Sequence, residues 1–275
     1  MTDAAADTPG FRLTGSAPER YEQYVAPLMA PFVTALVDGV GLNPGDTVLD
    51  LACGTGFVAR LAAARVGPTG RVHGADASPD MLGVATAHRP HLYPDIEFTP
   101  ASADRLPYDD ASFDAVLCQQ GAQFFPDLLA ALTQAARVTR PGGRFAATTW
   151  TDLSASPYFL AQHEVITRYA GAEAAAPYTE AFRCTGDVLT EALHKAGFQD
   201  ATTRTLTLDV TLPPLATHAA GHLSAIPWGV RIAQEHGPEA LAEAGRAIAD
   251  RFTHRTAPDG TVTLPFTATL VTATR

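Results

Sequence analysis

Val48-Leu-Asp-Leu-Ala-Cys-Gly-Thr-Gly-Phe-Val-Ala59 is an apolar run that stops at two closely spaced glycines and resumes with helix-forming residues. A buried β-rich segment, a tight turn and then a helix make up the first unit of a parallel α/β sheet. At Gly54 and Gly56 the backbone can approach a ligand closely, and the N–H groups of the first helical turn are free to receive an anionic group. Gly54, Gly56 and Ala59 also satisfy the G-x-G-x-x-G/A spacing of dinucleotide sites. Asp76 stands about 20 residues further on, where an acid would grip a ribose hydroxyl. On these residues alone two classes of cofactor stay open.

Outward from this turn the chain alternates short apolar runs with helical stretches, the rhythm of a parallel sheet with right-handed crossovers. Strands are expected over 47–52, 71–75, 96–99, 113–118 and 144–150. Ser78-Pro79 reads as an N-cap followed by proline at the first helical position. Pro126-Asp127 opens a helix that ends near Arg137 and Arg140, ahead of the turn Pro141-Gly142-Gly143. Upstream, 17–37 carries apolar residues at helical spacing interrupted by Pro27 and Pro31, which predicts short helices before the sheet. Downstream, helices are expected over 157–169 and 187–196, with an unpatterned stretch over 171–177. Alternating segments at 202–210 and 261–273 predict two late strands. Between them lies a helical insertion longer than the connections that usually join neighbouring strands, a candidate lid.

Context separates the two cofactor classes. Asp50-Leu-Ala-Cys-Gly-Thr-Gly56 resembles the D-x-[AG]-x-G-x-G signature of class I S-adenosylmethionine-dependent methyltransferases, and its turn is longer than that of a dinucleotide site. Three further segments follow in the family's order. Gly74-Ala-Asp-Ala-Ser-Pro-Asp-Met81 is similar to its second-strand segment, and the stretch from Ala101 to Asp114 to its G-D-A-x-x-L-P-F-x-x-x-S-F-D segment. Arg137-Val-Thr-Arg-Pro-Gly-Gly-Arg144 is similar to its R-V-L-x-P-G-G-x turn, with Thr139 in place of leucine. Within the family the chain resembles small-molecule enzymes of the ubiquinone and menaquinone type.

The resemblance implies a Rossmann-like sheet of seven mostly parallel strands, helices on both faces, an antiparallel last strand and a helical lid. One methyltransferase domain would span 1–275: an N-terminal helical segment over 1–45, a cofactor core over 46–150, and a substrate-side half over 151–275 with the insertion at 213–255. It further implies S-adenosylmethionine as cofactor, held by Asp50, Ala52, Gly54, Thr55, Gly56, Asp76, Ala77, Met81, Ser102, Ala103, Asp104 and Gln119. Asp76 would take the ribose hydroxyls and Met81 would pack on the adenine. Ser102 stands where the family usually has Asp or Asn, so a side-chain bond to the adenine amino group would weaken or pass to Asp104.

Composition narrows the function classes. The 275 residues are 46% hydrophobic and 17% charged, which suits one sizeable folded domain. No apolar run approaches the roughly 18 residues of a membrane span. Met1 to Pro9 lacks a basic start and an apolar stretch, so a frayed tail is expected there and not a secretory signal. Cys53, Cys118 and Cys184 form no CxxC pair, which argues against a disulfide framework and a cysteine-rich zinc site and suits a reducing cytoplasm. Cys53 and Cys118 read as core. The net charge of −10, with scattered basic residues, argues against nucleic acid as substrate. A small-molecule acceptor, of secondary-metabolite or quinone type, is the expected partner, and a homodimer stays open.

Methyl transfer asks the protein chiefly to align an acceptor in line with the cofactor's sulfonium methyl. In an open α/β sheet that acceptor sits beyond the carboxyl ends of the strands. Gln119 and Gln120 leave the fourth strand there and Trp150 leaves the fifth. Gln119-Gln-Gly-Ala122 stands where amino-directed nucleic-acid enzymes carry [D/N]-P-P-[Y/F/W]. Tyr21, Gln120, Trp150 and Trp228 are candidate substrate walls. An oxygen acceptor calls for a base, for which His163, His218 and His222 are candidates. His218 and His222 share a helical face at a spacing that also suits metal, but no third ligand accompanies them and no metal is expected. The competing readings are a nicotinamide-dependent oxidoreductase, the same fold turned to cyclisation, and a binding module without an acceptor pocket.

Overall fold

In the computed structural model, which describes Leu13, residues 15–90 and residues 95–275, seven strands form one sheet flanked by ten α-helices. The expectation for Met1 to Pro9 lies outside the described residues. Five strands run parallel: β1 (Thr47–Leu51), β2 (Arg71–Asp76), β3 (Ile96–Pro100), β4 (Phe113–Gln119) and β5 (Thr139–Trp150). The two long late strands are β6 (Gln199–Leu212) and β7 (Val262–Thr274). In space the order is β3-β2-β1-β4-β5-β7-β6, with β7 antiparallel to both neighbours. The sheet is the expected Rossmann-like one.

Helices α3 (Phe57–Val66), α4 (Pro79–Ala87), α5 (Leu128–Val138) and α7 (Gly186–Ala196) are the crossovers around the strands. Their starts follow local chemistry. Ser78 Oγ accepts from Met81 N at 3.3 Å, Asp127 Oδ1 from Ala130 N at 2.9 Å, and Thr185 Oγ1 from Val188 N at 3.4 Å, so each side chain satisfies an orphan N–H of the first turn. Gly56 starts α3 at φ 79°, and a Cβ on it would lie 2.8 Å from the Phe98 ring. The Phe98 ring of β3 therefore lies directly against the backbone of the turn.

Helices α1 (Ala17–Tyr24) and α2 (Ala26–Val40) precede the sheet and bend by 64° at Val25. Pro18 and Pro27 sit in their first turns, where the missing N–H costs nothing. After β5 comes α6 (Pro157–Glu180), then α7 and β6. Between β6 and β7 stand α8 (Leu215–Ser224), α9 (Pro227–His236) and α10 (Glu239–Asp250).

Two expectations need correction. The unpatterned stretch 171–177 is helical: Gly171 breaks the helix at φ 82°, and α6 resumes beyond it through Pro177. The segment Pro141-Gly142-Gly143 lies within β5 and does not precede it, because Thr139 already pairs with Phe113 ahead of a register shift. The core divides by sheet face. Phe32, Leu36, Val48 and Phe266 pack with α2, α3, α6 and the α8–α10 cluster, and Leu49, Val116, Phe145 and Phe198 pack under α5 and α7. Among the described residues no single helix is long and apolar enough to cross a membrane.

Candidate functional site

At the carboxyl ends of β1 and β4 the structure places two adjoining cavities. The smaller is a cleft on the glycine turn, lined by Asp50, Ala52, Gly54, Thr55 and Gln119 and closed by Tyr21, Ala26 and Met29 from the N-terminal helices. The turn is held in an unusual backbone form: Ala52 has φ 57°, Gly54 53° and Gly56 79°. For alanine that conformation is costly and persists where surrounding structure enforces it.

The Asp76 carboxylate joins this turn to the next one. Its Oδ2 accepts from Gly54 N and its Oδ1 from Ser78 N, both at 2.8 Å. Burial raises its pKa against the lowering effect of these bonds. Asp50 is 1% exposed; Oδ2 accepts from Ala59 N at 2.9 Å at the start of α3, while Oδ1 has no partner. Burial outweighs that bond and pushes its pKa up to about 8. Thr55 Oγ1 and Gln119 Nε2 are likewise buried and unpaired. One free carboxylate oxygen and two free donors on one cleft wall match a ligand end that carries both an ammonium and a carboxylate. This is the amino-acid end of S-adenosylmethionine, so the residues present fit that cofactor.

The remaining residues expected at the cofactor do not line this cleft. Met81 is buried with Leu13 and Ala17 and packs on Tyr21. Ala77 is exposed beyond β2. Ser102 and Asp104 are exposed, with Ser102 Oγ donating to Asp104 Oδ1 across half-buried Ala103. Cys53, Cys118 and Cys184 are free, buried thiols. Burial pushes Cys118 up to about 12.

The larger cavity, the chamber, holds about 580 Å³ of atom-free space including its open mouth. Of the expected substrate residues, Tyr21, Gln120, Trp150 and Trp228 all line it. Tyr21 and Met29 line both cavities. The Tyr21 hydroxyl is pushed up to about 12 by burial and by the nearby Asp76 charge. Of the three histidines, His222 is on the chamber wall. His218 lies one turn back against Tyr24 and Tyr158, and His163 stacks behind Tyr178 at 5.8 Å. Burial lowers His218 to about 4, and burial with the neighbouring His218 lowers His222 to about 3. Both rings are neutral near pH 7, and His222 Nδ1 and His218 Nε2 are buried without a partner. Among the described residues no group of three or more His, Cys, Asp or Glu converges as a metal site.

Most of this wall was not legible in the sequence. Phe159 and Gln162 come from the first part of α6, Tyr178 from its continuation past Gly171, and Phe182 from the turn after it. The four-residue spacing of Tyr178 and Phe182 was the available signal. Tyr178 Oη donates to Gln162 Oε1 at 2.9 Å, and Gln162 Nε2 donates to Tyr158 Oη at 3.2 Å, a fully buried chain that fixes the floor.

Helix α1 ties the cavities together. Arg20 Nε donates to Ser224 O at the end of α8 at 2.9 Å. Glu22 pairs with Arg60, whose Nη1 donates to Thr55 O in the glycine turn at 2.7 Å. Neither link was legible in the sequence, since each partner is distant along the chain.

Comparison with known proteins agrees with this geometry. Residues 48–143 match the family model described as a methyltransferase domain. The chain is 41% identical over 108 residues to the chloroplastic 2-phytyl-1,4-beta-naphthoquinone methyltransferase of Arabidopsis thaliana, covering 38% of this chain and 41% of that protein. It is 42% identical over 110 residues to the ubiquinone/menaquinone biosynthesis C-methyltransferase UbiE of Hahella chejuensis, covering 39% and 44%. The chain thus spans less than half the length of these curated relatives. In structure it is similar to phosphoethanolamine N-methyltransferase 2 of Haemonchus contortus in complex with S-adenosyl-L-methionine. The TM-score there is 0.62 at 18% identity, over 98% of this chain and 58% of that one, a likeness of fold. Glycine turn, the two carboxylates bonded to its backbone and to α3, sheet order and family match agree: residues 48–143 form a methyltransferase domain of the class I S-adenosylmethionine-dependent family, and S-adenosylmethionine is its cofactor.

Proposed function

We propose that this chain transfers a methyl group from S-adenosylmethionine to a small, uncharged, largely aromatic acceptor bound in the chamber. The chamber wall carries this reading: it is built mostly from aromatic rings and has no Asp, Glu, Lys or Arg among its described lining residues. An ionised phosphate or carboxylate brought there would lose its hydration without gaining a counter-charge. The quinone methyltransferases among the relatives act on acceptors of that uncharged, ring-based kind, which supports the choice.

S-adenosylmethionine, when bound, supplies an electrophilic methyl group on a sulfonium. The chain's own residues align and enclose. Tyr21 and Met29, shared by both cavities, leave acceptor and cofactor side by side. Trp150, Trp228 and Phe159 clamp the acceptor ring by face and edge. His222 offers its neutral, unpaired Nδ1 to an acceptor hydroxyl. With a pKa near 3 it orients that proton and is too weak a base to keep it. Helices α8 to α10 and α1 act as the cover, and His163 and His218 support the wall from behind.

A mass-resolved methyl-transfer screen tests this. Neutral phenols, naphthols and quinols are offered beside carboxylates, phosphorylated amines and simple amines, with NAD as a binding control. Methylated product from the neutral aromatics is expected. Comparable turnover of phosphorylated or carboxylate acceptors, or binding of NAD in preference to S-adenosylmethionine, would refute the proposal.

A further inference from the structure

The chamber wall carries one further polar device, the amides of Gln120 and Gln123. Gln120, directly after β4, has φ 52°, a left-handed form that is costly for a residue with a side chain. Its N–H donates to Thr148 O at 2.9 Å. Gly121 beside it sits so tightly that a Cβ would lie 2.7 Å from Ala52 Cβ, so the backbone there is held from two sides.

From this turn the Gln120 amide meets Gln123, in the short helix Ala122–Phe124, whose Nε2 donates to Gln120 Oε1 at 2.9 Å. Gln120 Nε2 and Gln123 Oε1 remain buried with no partner. Exchanging oxygen and nitrogen in both amides reverses the bond between them and again leaves one N–H donor and one carbonyl acceptor over. Both residues line the chamber. A buried donor and a buried acceptor out of reach of water are unfavourable unless something else pairs with them. A molecule bound in the chamber that both residues line would supply those partners.

We infer that Gln120 and Gln123 form a specificity-determining pair that selects an acceptor bearing one hydrogen-donating and one hydrogen-accepting oxygen, as in an uncharged aromatic diol or hydroxy-ketone. This inference rests on the reading of the chamber as the site of an uncharged aromatic acceptor. The acceptor's hydroxyl donates to the free carbonyl and its second oxygen accepts from the free amide, so both groups are paired in the complex. An aryl ether, which only accepts, leaves the carbonyl unpaired. A carboxylate sets a negative charge against that same carbonyl.

The test is calorimetric titration of the S-adenosylhomocysteine-saturated protein, under anaerobic conditions, with isomeric naphthalenediols and their dimethyl ethers. The best-bound diol is expected to bind at least about tenfold more tightly than its own ether. In Gln123→Met and in Gln120→Met, which keep side-chain length and remove the amide, that ratio is expected to fall below about threefold with the ether's affinity unchanged. Unchanged S-adenosylhomocysteine affinity shows that each variant is folded, and Gln123→Met alone carries the comparison if Gln120→Met does not fold. Equal binding of diol and ether to the unaltered protein, or a preference that survives the substitutions, overturns the pair's role and leaves the aromatic chamber in place. If S-adenosylhomocysteine binds and no naphthalene does, both readings fall together.

Discussion

Asp50 and His222 are each held by burial in the uncharged form, and they pull stability in opposite directions with pH. For Asp50 the folded pKa of about 8 lies above the usual carboxylate value of 3.8. The fold therefore binds this proton more tightly than the unfolded chain does. That contribution is complete below about pH 4 and is lost as pH rises through about 8. Asp50→Asn keeps an oxygen for the Ala59 N–H and cannot ionise. It should raise the melting temperature of the ligand-free protein at pH 8, with the gain vanishing toward pH 4, while weakening S-adenosylmethionine binding. Scanning calorimetry across that range, paired with titration of the cofactor, checks both halves. His222 behaves in the reverse sense: its folded pKa of about 3 lies below the ordinary 6.5. Stability tied to its neutral ring is present above about pH 6.5 and lost as pH falls toward 3. His222→Phe should flatten the acid limb of the melting curve, and an unchanged limb would show that other groups govern it. At this scale the glycine-turn residues were legible in the sequence because turn chemistry is local. Gln162 and Tyr178 were not, because their meaning depends on each other across the Gly171 break and on α9 after β6, and Gln123 was not, because its amide gains meaning only against a Gln120 held in a left-handed turn.

Among the elements, α8 is the hub of the cover. A Cβ at Gly245 would stand 2.3 Å from Ala216 O, so α10 lies on α8 at backbone contact. Gly245→Ala must push the two helices apart, at a cost of about 1–3 kcal/mol. We expect a lower melting temperature and a raised KM for the acceptor with cofactor affinity retained, since α10 does not border the glycine-turn cleft. Equal losses in both affinities would mean that α8 and α1 move as one body. The alternating β and α rhythm announced the parallel half of the sheet because each crossover is a local event with its own cap. The placing of β7 between β5 and β6 is not local. Its register with β6 is reinforced by cross-strand hydroxyl pairs, Thr202 with Thr272, Thr207 with Thr267 and Thr211 with Thr263, at 2.9 to 3.1 Å, and single-strand periodicity carries no trace of such partners. The helical stretch past Gly171 was hidden for a related reason. Gly171 and Pro177 are breakers by propensity, and packing of Tyr178 and Phe182 against α6 and α9 residues overrides them.

The whole molecule is acidic, with a net charge of −10, yet the described residues of its chamber wall include no Asp, Glu, Lys or Arg. Long-range fields therefore act on charged solutes and not on the neutral acceptor proposed here. The acceptor's KM should change by less than about twofold between about 50 mM and about 500 mM salt. A steep salt dependence would point to an ionised acceptor. The chain has two tryptophans, and both stand on that same wall, Trp150 edge-on to Phe159 at 4.8 Å and Trp228 edge-on to Tyr178 at 5.1 Å. Every photon the protein emits from indole consequently originates on the wall of the proposed acceptor site. On that proposal the molecule carries its own optical gauge of occupancy, readable without a label and without turnover: an acceptor that enters should shift or quench this emission.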